Sequence, residues 1–211
     1  MSLIKYNNRS IKDLTTTPTA AGGGDTGALV HIKTLTASSS ATLSFVHGTD
    51  GVVLDSTYPI YKFEFINIHP GTDSKYFLFN MSTDSGSNYN VTKTSTAIYA
   101  YHRENNADAA LAYGDNYDLA QSTGFQYLSD DAGADNDQSI SGTLQLFNPS
   151  STTFVKHFIS NTNTAQVIDY SINNLNAGYG NTTSAVNAVR FQMTSGNIDS
   201  GTIKLYGIKD S

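Results

Sequence analysis

The chain has no cysteine and only two glutamates among its 211 residues. The absence of cysteine excludes disulfide frameworks, thiolate zinc sites and cysteine nucleophiles. Charged residues make up 14% of the chain, and its 12 basic residues are scattered singly. Since a phosphate backbone is bound by clustered lysine and arginine, we do not expect a nucleic-acid partner.

Long apolar segments are also lacking. No run approaches the roughly 18 apolar residues of a membrane-spanning helix. The first ten residues, MSLIKYNNRS, alternate apolar with polar side chains and lack the apolar core of a secretory signal peptide. Neither membrane insertion nor export through a signal peptide is therefore expected.

Small polar residues dominate the composition. The sequence holds 25 Thr, 24 Ser and 19 Asn, beside 17 Gly and 13 Tyr. Thr and Tyr favour pleated strands, and Ser, Asn and Gly favour turns, so the composition predicts many short strands. A chain of this length buries about 70% of its extended surface, which is enough for a real core.

The first 27 residues differ from the rest. Residues 1–14 carry three basic side chains against one acidic, a charge of +2, so the remaining 197 residues carry −8. A Thr-rich and Gly-rich stretch follows, which is typical of a tether. We predict an extended N-terminal arm and tether over 1–27 and one β-sandwich over 28–211. A frayed terminus is the alternative to an arm that docks on an acidic neighbour.

About ten strand-like runs follow, separated by turn residues, which favours an antiparallel two-sheet sandwich. The clearest covers residues 58–68, where Tyr61, Phe63 and Phe65 alternate with Lys62 and Glu64. The other runs cover 29–35, 42–47, 75–81, 97–101, 143–147, 154–159, 166–172, 186–193 and 202–208. Residues 104–113 break the rhythm, and their clustered alanines predict a turn or two of helix.

Catalytic chemistry has little support in the sequence. A glycosidase needs two carboxyl groups at a fixed separation; Glu64 should point to solvent and Glu104 should pair with Arg103. We also find no nucleophile elbow and no phosphate-binding loop. The five histidines have no ligand spacing. We therefore predict a protein without catalytic residues.

One acidic segment could offer oxygen ligands to calcium. Asp130, Asp131, Asp135 and Asp137 lie within eight residues. The order of an EF-hand loop is missing, so a solvated loop is the preferred interpretation and no cofactor is expected.

Tyrosine rings can stack on sugars or anchor protein interfaces. Tyr99 and Tyr101 are two apart on one predicted strand, and Tyr113 and Tyr117 flank a Gly-Asp-Asn turn. These four residues are candidates for a glycan contact or a subunit contact, and both alternatives stay open.

The C-terminal segment has the most specific pattern. Residues 191–208, FQMTSGNIDSGTIKLYGI, place a Ser-Gly-Asn turn before a strand in which Ile203 and Leu205 share a face. This segment resembles the closing hairpin of jelly-roll domains in structural proteins of tailed bacteriophages. The opening MSLIKYNNRS is similar to the start of small marine-phage virion proteins. Together the two ends cover about 30 residues.

The resemblance implies a jelly-roll β-sandwich and a non-enzymatic virion protein, assembled in the bacterial host cytoplasm. We expect an exterior accessory subunit, a capsid decoration or cement protein that docks on the major capsid or tail protein and forms a homo-oligomer such as a trimer. Symmetric particles multiply weak contacts of this kind. The alternative is a tail-associated or fibre-associated module that binds a receptor or surface glycan. The arm residues expected to dock are Leu3, Ile4, Lys5, Tyr6 and Arg9.

Overall fold

The structure is a computed structural model that describes residues 28–210. These residues form twelve strands, so the all-β prediction is confirmed. The strands are β1 Leu29–Thr36, β2 Leu43–Val46, β3 Ile60–Pro70, β4 Phe77–Ser82, β5 Lys93–Arg103, β6 Ala109–Tyr113, β7 Gln126–Tyr127, β8 Ile140–Phe147, β9 Lys156–Ala165, β10 Tyr170–Gly180, β11 Ala188–Met193 and β12 Ile198–Ile208. The same residues hold no helix of the length and apolarity that a bilayer crossing requires. The predicted arm at 1–27 lies outside them.

The strands form two antiparallel sheets of unequal width. The larger has eight strands in the order β1-β12-β3-β8-β9-β10-β5-β6, and the smaller has four in the order β2-β11-β4-β7. The inner faces of both sheets share one apolar core, so the fold is sandwich-like.

Aromatic rings join the two sheets at the centre of the core. Phe191 of the small sheet lies 5.2 Å from both Phe63 and Phe65 of the large sheet, measured between ring centroids. Phe45 meets Phe63 edge to face at 5.3 Å. Phe77 stacks on Phe191 at 5.7 Å. These rings are fully or almost fully buried, and such pairs add to the stability gained from burial.

The period-two pattern correctly identified inward-facing residues. Tyr61, Phe63 and Phe65 are buried on β3, whereas Lys62 and Glu64 form an ion pair at 2.8 Å on the outer face. On β12, Ile203 and Leu205 are buried as their spacing predicted.

The predicted helix at 104–113 is wrong. Residues 109–113 form β6, which pairs with β5 from Ala109↔His102 to Tyr113↔Ile98. The helix propensity of alanine is worth only tenths of a kcal/mol per residue. Hydrogen bonding to a neighbouring strand outweighs it here.

The predicted closing hairpin is also wrong. The connection contains Ser195-Gly196-Asn197, and Gly196 has the expected positive φ of 72°. However, β11 pairs with β2 and β4 in the small sheet, whereas β12 pairs with β1 and β3 in the large one. The turn therefore carries the chain from one sheet to the other.

Candidate binding site

The structure brings three of the four candidate tyrosines together. Tyr99 and Tyr101 stack on the inner face of β5 with centroids 6.1 Å apart, and Tyr117 meets Tyr99 edge to face at 5.8 Å. Tyr113 lies opposite Ile98 on the outer face of the sheet, where its hydroxyl donates to Asp118 at 2.8 Å. Tyr113 therefore lies apart from the other three, and its role in a glycan or subunit contact stays a prediction.

Three further tyrosines extend the group. Tyr170 of β10 meets Tyr101 edge to face at 5.5 Å. At the other end, Tyr76 and Tyr127 contact Tyr117 at 6.0 Å and 5.7 Å. We refer to these six residues, Tyr76, Tyr99, Tyr101, Tyr117, Tyr127 and Tyr170, as the tyrosine cluster.

One end of the tyrosine cluster opens into a pocket of about 220 Å³, the tyrosine pocket. Its three aromatic lining residues have half-buried rings, and its polar lining residues contribute two carboxyls and one amide. Its lining residues are Tyr99, Tyr101, Asp108, Asp130, Gln166, Ile168, Tyr170 and Ile172. Aromatic faces beside a few convergent polar groups are characteristic of small-ligand sites.

Because the small sheet is narrower than the large one, it does not cover the tyrosine pocket. Along the inner face of β5, Lys93, Ser95 and Ala97 are buried, whereas Tyr99 and Tyr101 are only half-buried. The neighbouring Ile172 of β10 is 4% exposed and forms the floor. The small sheet has half as many strands, so the segment around Asp130 covers this end instead.

Asp130 is the most buried carboxyl of the tyrosine pocket, with 7% of its surface exposed. Burial raises the pKa of Asp130 to about 6. Its backbone N–H donates to Asn174 Oδ1 at 3.0 Å, and its Oδ1 accepts from Asp131 N–H at 2.7 Å. Burial, and then the negative charge of Asp130, raises the pKa of Tyr117. The carboxyl is thus held firmly and changes charge near pH 6.

Gln166 has an acceptor without a partner. Its Nε2 donates to Asp131 Oδ1 at 2.5 Å, whereas its Oε1 is buried and accepts no hydrogen bond within residues 28–210. A buried acceptor of this kind costs free energy unless a ligand or water satisfies it. Gln166 Oε1 is therefore an unsatisfied acceptor buried beside the tyrosine pocket.

The opposite side of the pocket is more exposed. The Tyr170 hydroxyl donates to Asp108 Oδ2 at 3.4 Å. The Arg103 guanidinium lies over the Tyr170 ring, 5.2 Å from its centroid. The charge of Asp108 is the main cause that raises the pKa of Tyr101. Two carboxyls, an amide and three tyrosine rings can together hold a polyhydroxylated ligand.

The acidic segment differs from the predicted solvated loop. Asp130 and Ala132 are buried, and Ala132 bridges both Lys75 and Gln166, so only residues 135–137 are exposed. Between residues 28 and 210, no three His, Asp or Glu side chains gather into a group that could hold a metal ion. The bridges from Ala132 to Lys75 on one side and to Gln166 on the other draw the first half of the segment inward.

The two glutamates are far apart in the sheet. Glu64 lies on β3 and Glu104 follows β5, and four strand spacings of about 4.8 Å separate these strands. The separation of roughly 19 Å exceeds that of a glycosidase pair. The ion pair predicted between Arg103 and Glu104 is wrong, because these two described side chains form no ion pair, whereas Lys62 pairs with Glu64 and His69 lies 4.0 Å from Asp199.

Two buried lysines were missed in the sequence. Lys93 donates to Asn80 Oδ1 at 2.5 Å and to the Val91 carbonyl at 2.8 Å, and its surface is fully buried. Burial lowers the pKa of Lys93 to about 7. Lys156 donates to two carbonyls, and burial lowers its pKa as well. Lys93 lies on the same strand face as Ser95, and Lys156 on the same face as Phe158. This alternation was the signal in the sequence that both lysines point inward.

The outer face of the large sheet carries an apolar patch. Large side chains protrude from β5, β6, β9 and β10, and a hollow of about 680 Å³ adjoins them between Phe147, His157, Ile159 and Tyr179. We call the exposed residues Ile98, Leu111, Tyr113, Ile159 and Leu175 the outer patch. Exposed apolar groups of this kind mark contact surfaces.

The predicted docking residues of the arm lie outside the described residues.

Comparison of the chain with protein-family models, with curated proteins and with solved structures finds no match.

Proposed function

We propose that this chain is a non-enzymatic structural protein of a tailed-bacteriophage virion. In this proposal the fold is a jelly roll, and the protein is an exterior accessory subunit of the capsid decoration or cement type. It docks on the major capsid or tail protein through its N-terminal arm and associates with itself. The sequence resemblance of the two chain ends to virion proteins supports the assignment, although residues 191–208 connect two sheets and form no hairpin.

The outer patch is the structural observation that carries a contact role. Leu111 is 74% exposed, and Tyr113, Ile98 and Leu175 lie beside it in one row across β6, β5 and β10. Because these side chains are contiguous, they form the kind of exposed apolar patch that marks an interaction surface. Repetition on a symmetric particle makes a modest contact of this kind sufficient.

The test is to locate the protein in intact particles. Electron microscopy should place it on the exterior of the head, and a variant without residues 2–14 should fold but fail to join particles. Normal incorporation of that variant contradicts docking through the arm. Particles without the protein contradict the virion assignment.

A carbohydrate-binding module is the second candidate, and the tyrosine pocket favours it. Stacked tyrosines beside carboxyl and amide oxygens match the two faces of a sugar, which are apolar C–H groups and hydroxyls. In this case the protein belongs to a tail or fibre and recognises a surface glycan.

A glycan array tests this candidate. Binding should disappear in Tyr101→Ala and persist in the matched variant Tyr113→Ala, because Tyr101 lines the tyrosine pocket and Tyr113 does not. Loss of binding in both variants, or in neither, argues against the pocket. Turnover of a bound polysaccharide that Asp130→Asn abolishes would indicate a hydrolase instead.

A further inference from the structure

The strand β6 is an open edge of the large sheet. It pairs with β5 on one side, and the described residues place no strand on its other side. Its sequence, AALAY, contains no charge and no proline, and four of its five residues are exposed. An apolar edge without such protection is a template for another strand.

The opposite edge of the same sheet is protected. In β1 the register shifts between His31 and Lys33, which marks a bulge, and Lys33 places a charge on the strand. Bulges and lysines are common devices that block edge-to-edge pairing. The contrast indicates that β6 is the edge available for pairing.

The hydrogen-bonding groups that β6 leaves free can be assigned. Gly114 N–H donates to Ala97 and Arg103 N–H donates to Asp108, both at 2.9 Å. Because bonding alternates along an antiparallel pair, Ala110 and Ala112 face β5. The N–H and C=O groups of the odd-numbered residues point away from the sheet. These residues are Ala109, Leu111 and Tyr113.

The sequence of the arm suits this edge. Ile4 and Tyr6 share a strand parity and could pair with Leu111 and Tyr113, as apolar cross-strand neighbours do. Charge is complementary, because the arm carries +2 while four acidic side chains and one basic side chain, Arg103, flank β6. The acidic residues are Glu104, Asp108, Asp115 and Asp118.

Reach favours the arm of a second copy. The arm precedes β1, and seven strand spacings of about 4.8 Å put β6 roughly 34 Å away across the sheet. Residues 15–27 reach at most about 45 Å, and as a flexible coil they span about 20 Å, so they would have to stretch well beyond their relaxed length to carry the arm to the β6 of its own chain. A neighbouring copy can present its β6 without that loss of conformational freedom.

We propose that the N-terminal arm of one copy adds as a further strand to β6 of a second copy. This inference rests on the proposed function in that it names the self-contact of the subunit. Ile4 and Tyr6 of the arm serve this contact, and the residues of the other parity, Leu3, Lys5 and Arg9, stay available for the capsid or tail protein. Backbone hydrogen bonds to Ala109, Leu111 and Tyr113 supply affinity, and the alternating apolar side chains supply register.

Leu111→Pro tests the free edge directly. Proline removes a backbone N–H that points away from β5, so the pairing of β5 with β6 is retained. Light scattering on the purified full chain should give a multiple of 22.7 kDa for the wild type and a monomer for Leu111→Pro. The matched variant Leu111→Thr keeps the N–H and should still associate. A monomeric wild type, or an oligomeric proline variant, overturns the inference.

Cross-linking keeps the test decisive if the proline variant does not fold. The chain has no cysteine, so Ile4→Cys and Leu111→Cys chains can be mixed and oxidised without interference from native thiols, and each chain oxidised alone gives the yield of like-with-like pairs. A cross-linked pair is expected between these chains and not between Ile4→Cys and Ile66→Cys, whose residue lies mid-sheet. Equal yields for the two mixtures, or no pair, overturn the inference. A chain that carries both Ile4→Cys and Leu111→Cys and forms only an intramolecular disulfide also overturns the inference.

The results separate this inference from the proposed function. Cross-linking in solution without virion location supports the strand contact and removes the virion role. Particle incorporation that depends on the arm, without cross-links to β6, supports the virion role and removes the strand contact.

Discussion

Lys93 has no carboxylate among its hydrogen-bond partners, which are Asn80 and Val91. Burial lowers its pKa to about 7 in the folded protein, whereas the unfolded chain has the ordinary value of 10.5. Between these values the unfolded chain holds a proton that the folded chain lacks. Stability should therefore rise with pH across that window, and below it the full cost of the buried charge is present and independent of pH.

Lys93→Met should remove this dependence. Urea unfolding between pH 7 and pH 10 should give a slope lower than that of the wild type by up to about 1.4 kcal/mol per pH unit. Lys33→Met is the control, because Lys33 reaches the Asp50 carbonyl in an exposed place and should keep the wild-type slope. Parallel profiles for wild type and Lys93→Met would contradict the assignment.

Asp130 should act in the opposite sense. Burial raises its pKa from 3.8 to about 6, so the folded protein retains a proton that the unfolded chain releases. Its favourable contribution is present below pH 4 and is lost as the pH rises through 6. Asp130→Asn should remove that loss and stabilise the protein at pH 7 by up to about 3 kcal/mol.

Unfolding titrations of Asp130→Asn and of the exposed Asp137→Asn make the comparison. The amide oxygen that Asp130→Asn introduces can still accept from Asp131 N–H, so the hydrogen bond survives the substitution. A gain at pH 7 in the Asp137 variant alone, or in neither, would count against the buried carboxyl.

At the scale of elements, Gly201 explains why the pattern Ser-Gly-Thr opens the last strand. The register of β12 against β3 shifts on both sides of Ser200, and Gly201 adopts a φ of +114°. An added Cβ would lie 2.5 Å from the Asn67 carbonyl oxygen. Only glycine fits this irregular crossing without strain.

Gly201→Ala should destabilise the protein by about 2–4 kcal/mol in urea unfolding, from backbone strain and the clash with β3. Gly71→Ala is the matched control, since its nearest neighbour would lie 3.7 Å away in ordinary contact. A loss below about 0.5 kcal/mol for Gly201→Ala would show that the backbone at this crossing relaxes.

At the scale of the whole molecule, the two ends of the described chain meet. Strand β12 lies between β1 and β3, and its Ile198, Ile203 and Leu205 are fully buried. Removal of residues 198–211 would expose both neighbours and part of the core.

We expect that truncation to lose its β-sheet circular dichroism signal and its cooperative unfolding. Removal of residues 2–14 should change the free energy of unfolding by less than about 1 kcal/mol, since the core is built within residues 28–210. A cooperative transition in the C-terminally truncated chain would contradict the closing role of β12.

Local patterns in the sequence were sufficient for the all-β class and for most strands, but the run predicted at 166–172 contains the turn between β9 and β10, and β6 was predicted as helix. The alternation on β3 and β12 and the abundance of Thr, Tyr, Ser and Asn predicted an all-β chain, because a strand directs alternate side chains to opposite faces. The same patterns indicated Tyr99 and Tyr101 as neighbours on one face. Periodicity depends only on residues close in sequence, so it was readable without a structure.

Pairing over long sequence distances was decided by the tertiary structure alone. Only the fold joins Asp130 and Gln166 to the tyrosines, turns 109–113 into an edge strand, and places β11 and β12 in different sheets. The physical reason is that these arrangements depend on which strands find each other. That choice is made by the free energy of the whole core, to which each local segment contributes little.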